Sequence, residues 1–251
     1  MSKQSKSSED TKSKTIAILL ECDPGNTLGG SCIRDVHNVA EFLHSKNISD
    51  DIHVLLTDLK TLKPELKYIK YSSSKTIYTL LDNLNLVSGD KLIFMVSGHG
   101  FTQADRNGDE IDGNDEFINV GFQVKDDDLY ERIILKNNIE GINIILLGDT
   151  CHSGTMFDLP FSYDYKTKKT TKITKRTDIL KVKAISLSAC TDSQLSMCDI
   201  GSNAGFGGSL TVGLLDYPDI FIDLINMKYG NMKNLFDRLK QLNQNAVLSI
   251  S

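Results

Sequence analysis

Two glycine-flanked segments hold the residues best suited to covalent chemistry: Ser97-Gly98-His99-Gly100 and Gly148-Asp149-Thr150-Cys151-His152-Ser153-Gly154. A cysteine is a strong nucleophile only as its thiolate. A free thiol pKa of about 8.5 leaves little thiolate at neutral pH, so a neighbouring imidazole is the usual activator. His99 and Cys151 supply such a pair. The surrounding glycines let backbone N–H groups approach a carbonyl, which makes the N–H groups of Gly100 and Cys151 candidates for an oxyanion hole. His152 is the rival base. Consecutive residues of an extended chain point to opposite sides, so His152 is expected to face away from Cys151 and to serve structure. Taken singly, a buried cysteine is usually an inert small hydrophobe and a lone histidine a satisfied polar residue. The pairing at two strand ends favours catalysis.

The elements that must position these residues follow from hydrophobic pattern. Thr15–Cys22, Lys91–Val96 and Ile142–Leu147 are nearly continuous apolar runs, as expected of strands buried on both faces of a parallel sheet. Asp51–Leu56 and Val182–Ala189 are weaker strands of the same kind. Helical spacing occupies Ile33–Leu43, Lys75–Leu86 and Leu129–Leu135 between them, then Gly205–Leu215 and Met232–Leu242, with Ala246–Ile250 as a last strand. The alternation predicts an α/β fold, an open and mostly parallel sheet with right-handed crossovers. Ligands of such sheets bind beyond the carboxyl ends of the strands, where His99 and Cys151 both fall.

The chain has 251 residues, 40% of them hydrophobic and 24% charged, enough apolar material for a sizeable core. Residues 1–14 lack apolar periodicity and read as a disordered leader; residues 15–251 read as one domain. A polar stretch at about 163–183 carries eight lysine or arginine residues and reads as an exposed basic insertion within the domain, a solvated loop or hairpin. No apolar run approaches a membrane span, and the start of the chain has no signal-peptide core. A net charge of −5 argues against nucleic acid as the partner. Five widely spaced cysteines without a CxxC pair speak for free thiols, so a cytoplasmic setting is expected.

Beyond these local readings, six ordered blocks resemble the metacaspases, a family of caspase-like cysteine peptidases. Ser97-Gly98-His99-Gly100 resembles the family's histidine motif, and Asp149–Thr155 with Asp158-Leu159-Pro160-Phe161 its cysteine motif. The others are Leu28–Asp35, Asp112–Ile118 and Ile185–Ser196. Caspases place the histidine about 50 residues before the cysteine, and here the separation from His99 to Cys151 is 52. The resemblance implies a caspase-like fold, an open mostly parallel sheet with helices on both faces, and a monomer that cleaves protein or peptide substrates through a Cys151–His99 dyad. Thr150 stands where the family often has a second cysteine, Val120 and Phe122 where it has proline and aspartate, and Gly207-Gly208 where bulkier residues are expected.

The resemblance also implies an acidic specificity pocket lined by Cys32, Asp35, Ser97 and Asp149, suited to an Arg or Lys before the scissile bond. Stabilisation of a helix N-terminus is the plainer role for Asp35. Carried over from the family, Asp115, Asp126, Asp127 and Asp158 form an activating calcium (Ca2+) site. Asp126-Asp127-Asp128 read equally well as the acidic start of a helix. Asp105-x-Asn107-x-Asp109 with Glu116 is not an EF-hand, because Glu110 occupies the place of its glycine. An enzyme selective for basic residues could also cut its own basic loop. The competing class is a non-proteolytic caspase-like decoy or regulatory module, against which the intact His99 and Cys151 speak.

Overall fold

The computed structural model describes residues 13–49, 51–58, 66–202 and 205–251. In chain order the elements are β1 (Thr15–Cys22), α1 (Ser31–Ser45), β2 (Asp51–Leu56), β3 (Lys67–Lys70), α2 (Ser74–Asp82), β4 (Lys91–Gly98), β5 (Gly100–Ala104), β6 (Asn114–Asn119) and β7 (Gln123–Lys125). There follow α3 (Asp126–Leu129), which runs into a π-helical Tyr130–Leu135, then β8 (Asn143–Thr150), β9 (Phe161–Asp164), β10 (Lys169–Lys172) and β11 (Lys183–Ser188). The chain closes with β12 (Ile200–Ser202), β13 (Gly205–Gly207), α4 (Ser209–Asp216), α5 (Pro218–Ile225), α6 (Lys233–Gln241) and β14 (Val247–Ile250).

Nine strands form one sheet in the order β10-β9-β14-β11-β8-β4-β1-β2-β3. From β11 to β3 every neighbouring pair is parallel, while β14, β9 and β10 extend the sheet by antiparallel pairing. The expected caspase-like α/β architecture is the one observed. Alternate residues of the central strands serve two cores. Ile18, Phe94 and Ile144 face α2, α3 and the π-helical turn, whereas Leu19, Ile93 and Ile145 face α1, α4, α5 and α6. Burial on both faces explains why β1, β4 and β8 read as unbroken apolar runs.

Several sequence expectations change in detail. Of the expected leader, residues 1–12 lie outside the described residues, but the Lys14 N–H donates to Asp90 Oδ1 at 2.9 Å and so joins the folded part. Gly205–Leu215 is not one helix: its first residues pair as a strand with Ile200–Ser202, and α4 begins only at Ser209. The three glycines before Ser209 have little helix propensity, so the helix starts only after them. The basic segment takes the hairpin form of its two readings, and part of it is buried. β9 and β10 make a hairpin on the sheet edge, and the chain after it buries Thr174 and Val182. Among the described residues no helix is long and apolar enough to cross a membrane.

Candidate active site

The parallel register of β4 and β8 sets Ser97 beside Asp149 and Gly98 beside Thr150, so His99 and Cys151 leave the sheet at the same level. Pleating decides which way the last side chains point. On the α1 face, β4 shows Ile93 and Met95 and β8 shows Ile145 and Leu147. One step further along each column, polar Ser97 and Asp149 replace the apolar series. Together with Cys32 and Asp35 of α1, they line a cavity of about 130 Å³ that is also lined by His99 and Cys151. All four residues expected in the specificity pocket are therefore gathered next to His99 and Cys151.

Gly100 opens β5, and a side chain there would collide with the backbone carbonyl of Cys151, which is why the two segments can close on each other. The Cys151 thiol is partly buried, and burial pushes its pKa up. A thiol held protonated in this way needs a base at the moment of attack. His99 Nε2 lies 2.7 Å from Thr27 Oγ1 and 3.5 Å from Asp23 Oδ1. His152 does face elsewhere, although not because the chain is extended. Its φ of 52° is left-handed, and its ring Nδ1 is hydrogen-bonded to the Asp192 carbonyl.

Asp35 and Asp149 are both buried at the bottom of the cavity. Asp35 accepts the Ser97 hydroxyl at 2.6 Å and the Gly208 N–H at 2.9 Å, so it is engaged in the pocket and not at the start of α1. Asp149 accepts the Ser196 hydroxyl at 3.0 Å and the N–H and hydroxyl of Thr211, each at 2.8 Å. Burial raises the pKa of both, and the charge of Asp149 raises Asp35 further. Gly207 and Gly208 now have a reason: side chains at either position would run into these carboxylates. Two buried carboxyl groups therefore lie beside one small cavity, and each is met by hydroxyls and peptide N–H groups.

The acidic residues expected to bind metal are only partly assembled. Oxygens of Asp126, Asp127 and Asp158 lie within 4.8 Å of one another, whereas Asp115 groups with Asp105 and Asp109. Burial, then the charge of Asp158, raises Asp126 to about 8. Asp126 also accepts the Asp127 N–H at 2.7 Å at the start of α3, so its helix-terminal reading holds as well. Into this group reaches Arg176, from the segment after β10. One guanidinium nitrogen contacts Asp109 at 2.6 Å, Asp158 at 2.8 Å and Asp127, while the group stacks on Tyr130 with 4.4 Å to the ring centroid. In the sequence Arg176 is one cation among eight in a polar stretch. Nothing local distinguishes it, since its partners lie 18 to 67 residues earlier.

The charge state of Asp35 yields a pH test. Its carboxyl titrates higher in the folded than in the unfolded chain, so the native state binds more protons and loses stability as pH rises through the folded value. Asp35→Asn retains an acceptor for Gly208 and lets Ser97 reverse its role. Urea unfolding from about pH 4 to about pH 8 should show the variant gaining on the wild type as pH rises. A gap that is constant across that range would show that Asp35 does not carry this cost.

Comparison with known proteins agrees with the geometry. A model of the metacaspase family, "Metacaspase, peptidase C14 domain", matches residues 15–160. The chain is 37% identical over 166 residues to Metacaspase-1 of Yarrowia lipolytica, covering 61% of this chain and 34% of that one. It is 34% identical over 150 residues to Metacaspase-1 of Saccharomyces cerevisiae strain S288c, covering 56% and 33%. The alignments thus span about a third of the length of these curated relatives. The crystal structure of protein GSU0716 from Geobacter sulfurreducens shares the fold, with a TM-score of 0.55 at 21% identity over 95% of this chain and 93% of the other. With His99, Cys151 and the residues Cys32, Asp35, Ser97 and Asp149 all inside the segment that the family model spans, the chain belongs to the metacaspase family.

Proposed function

We propose that this chain is a calcium-activated cysteine endopeptidase that cleaves proteins or peptides after arginine or lysine. The observation that carries the reading is the buried Asp35–Asp149 pair in the same cavity as Cys151 and His99. A substrate guanidinium or ammonium group there supplies the counter-charge that the two carboxylates lack. It would also set the following carbonyl against the thiol. His99 then takes the Sγ–H proton as sulfur attacks the carbonyl carbon, and the N–H groups of Gly100 and Cys151 meet the oxyanion. His99 returns the proton to the leaving amine as the C–N bond breaks, giving a thioester on Cys151. Water, deprotonated by His99, hydrolyses the thioester and frees the thiol. All five cysteines are unpaired, which supports the expected cytoplasmic setting, and the chain is read as a monomer.

Peptides ending in Arg and in Asp, each carrying a fluorogenic leaving group, separate the outcomes when assayed with calcium, with chelator and with Cys151→Ala as the blank. Cleavage confined to the Arg peptide and dependent on both calcium and Cys151 is expected. If folded protein with calcium cleaves neither peptide, the decoy or regulatory module becomes the better account.

Calcium fits the acidic group by the chemistry of its donors. Asp126, Asp127 and Asp158 offer only carboxylate oxygens, the hard ligands this ion prefers, and a cation from the chain itself already lies among them. These three residues would hold the ion, with Asp115 reaching it from the neighbouring group. Bound calcium would neutralise the carboxylates and tie α3 to the segment that follows Cys151. Arg176 contacts Asp127 and Asp158, so ion and guanidinium draw on the same oxygens. Calorimetric titration of Arg176→Gln, made on the Cys151→Ala background, should therefore show calcium binding about tenfold more tightly than in the parent. An unchanged affinity would place the ion elsewhere.

Self-cleavage has its substrate in the β9–β10 hairpin, where Lys166, Lys168, Lys169 and Lys172 are exposed. Lys175 and Arg176 are held by the Glu110 carbonyl and by the aspartates. Intact-mass analysis after calcium addition should find the cut among the four hairpin lysines. An active enzyme with an unbroken chain would remove this part of the reading.

A further inference from the structure

The loop that follows β1 folds around a buried carboxylate. Asp23 is 4% exposed, and its Oδ1 accepts the N–H and the hydroxyl of Thr27, each at 2.8 Å. Its Oδ2 accepts the Leu28 N–H, also at 2.8 Å. The Asp23 N–H donates to Glu21 Oε1 at 2.6 Å, and Glu21 Oε2 in turn accepts the N–H and hydroxyl of Thr57, each at 2.9 Å. Asp23 is therefore fixed in place from both sides of the loop. It stands next to the end of β4, since the His99 N–H donates to the Cys22 carbonyl at 2.9 Å.

The Thr27 hydroxyl has two polar neighbours, Asp23 Oδ1 at 2.8 Å and His99 Nε2 at 2.7 Å, and a single proton to share between them. A carboxylate can only accept. If the hydroxyl gave its proton to the imidazole, its oxygen would face Asp23 Oδ1 lone pair to lone pair at hydrogen-bond distance. The proton therefore belongs to the Thr27–Asp23 bond, and Thr27 Oγ1 accepts from Nε2–H. A neutral imidazole carries one N–H, so Nδ1 keeps the lone pair.

We infer that Thr27 and Asp23 are positioning residues that set the tautomer of His99, leaving Nδ1 as the atom that takes the Cys151 proton. When Nδ1 accepts that proton, the ring becomes an imidazolium with both nitrogens protonated. Its charge faces Asp23 Oδ1 at 3.5 Å, and the Thr27 proton stays where it is. Return of the Nδ1 proton to the leaving amine restores the neutral ring and its original tautomer. Each turnover thus begins with the base in the correct form. The opposite tautomer would present an N–H to the thiol and accept nothing. The inference rests on the peptidase reading for its catalytic consequence, while the tautomer itself is a property of the resting protein.

Nitrogen-15 spectroscopy of the full chain labelled in histidine reads the tautomer directly, with His99→Gln assigning the resonance. The wild type and Thr27→Ser should show His99 protonated at Nε2. Thr27→Val keeps the backbone N–H bond to Asp23 and removes only the hydroxyl of an exposed side chain, so the fold should persist, as checked by circular dichroism. Its His99 should become a mixture of tautomers, and kcat on an Arg peptide should fall about tenfold with KM unchanged and return in Thr27→Ser. A wild-type ring protonated at Nδ1, or a Thr27→Val ring indistinguishable from the parent, would overturn the relay. Loss of the peptidase reading would appear differently, as the expected tautomer in a protein that cleaves nothing.

Discussion

Everything chemical in this molecule depends on the parallel register between β4 and β8. Because Ser97 sits level with Asp149 and Gly98 with Thr150, an imidazole and a thiol emerge at one height on adjacent strands. A slip of one residue would turn each strand's last side chains to the opposite face, sending Asp149 away from α1 and out of the pocket. That register is held by long apolar columns: Ile93, Met95, Ile145 and Leu147 on one face, Leu92, Phe94, Ile144 and Leu146 on the other. The deep core and the polar site are the two ends of the same columns. Stability and placement of the reactive groups are consequently difficult to alter independently.

Two buried acidic groups lie beyond these strand ends, and they differ in how their charge is met. Asp35 and Asp149 are surrounded by hydroxyls, peptide N–H groups and glycines, so their own chain offers dipoles in place of a full counter-charge. Such a pair is costly to bury and responsive to any cation that enters. The cluster of Asp109, Asp127 and Asp158 has instead been given a guanidinium, backed by the Tyr130 ring. The first group thus carries no ionic partner among these contacts, whereas the second is served by one from the chain itself. The segment carrying Asp158 joins the two, since it follows Cys151 directly and is tied by Thr155 to Glu116 of β6.

The central strands, and the placement of His99 and Cys151 just beyond two of them, were legible in the sequence for the same reason. A strand buried on both faces leaves a continuous apolar signature, and in open α/β sheets its carboxyl end is where ligands bind. Short or edge elements left no such trace. β3 and β10 are edge strands of four residues with a lysine at each end, and β5 to β7 form a small antiparallel sheet of short strands rich in polar residues. Asp23 and Thr27 were equally invisible, because a buried carboxylate that folds a loop looks in sequence like any turn residue. Gly207 and Gly208 registered only as a departure from the family, and their purpose emerged once Asp35 and Asp149 were seen to occupy the space a side chain would need.

The nine-stranded sheet ends at β3 on one side and β10 on the other, and each of these strands begins and ends with a lysine, in Lys67-Tyr68-Ile69-Lys70 and Lys169-Thr170-Thr171-Lys172. Unpaired strand edges are templates for joining one molecule to another. The ammonium groups of β10 are exposed, while Lys67 of β3 is paired with Asp51 at 2.5 Å. Lysines at both ends of an outermost strand are a common guard against the growth of a wide sheet into a ribbon.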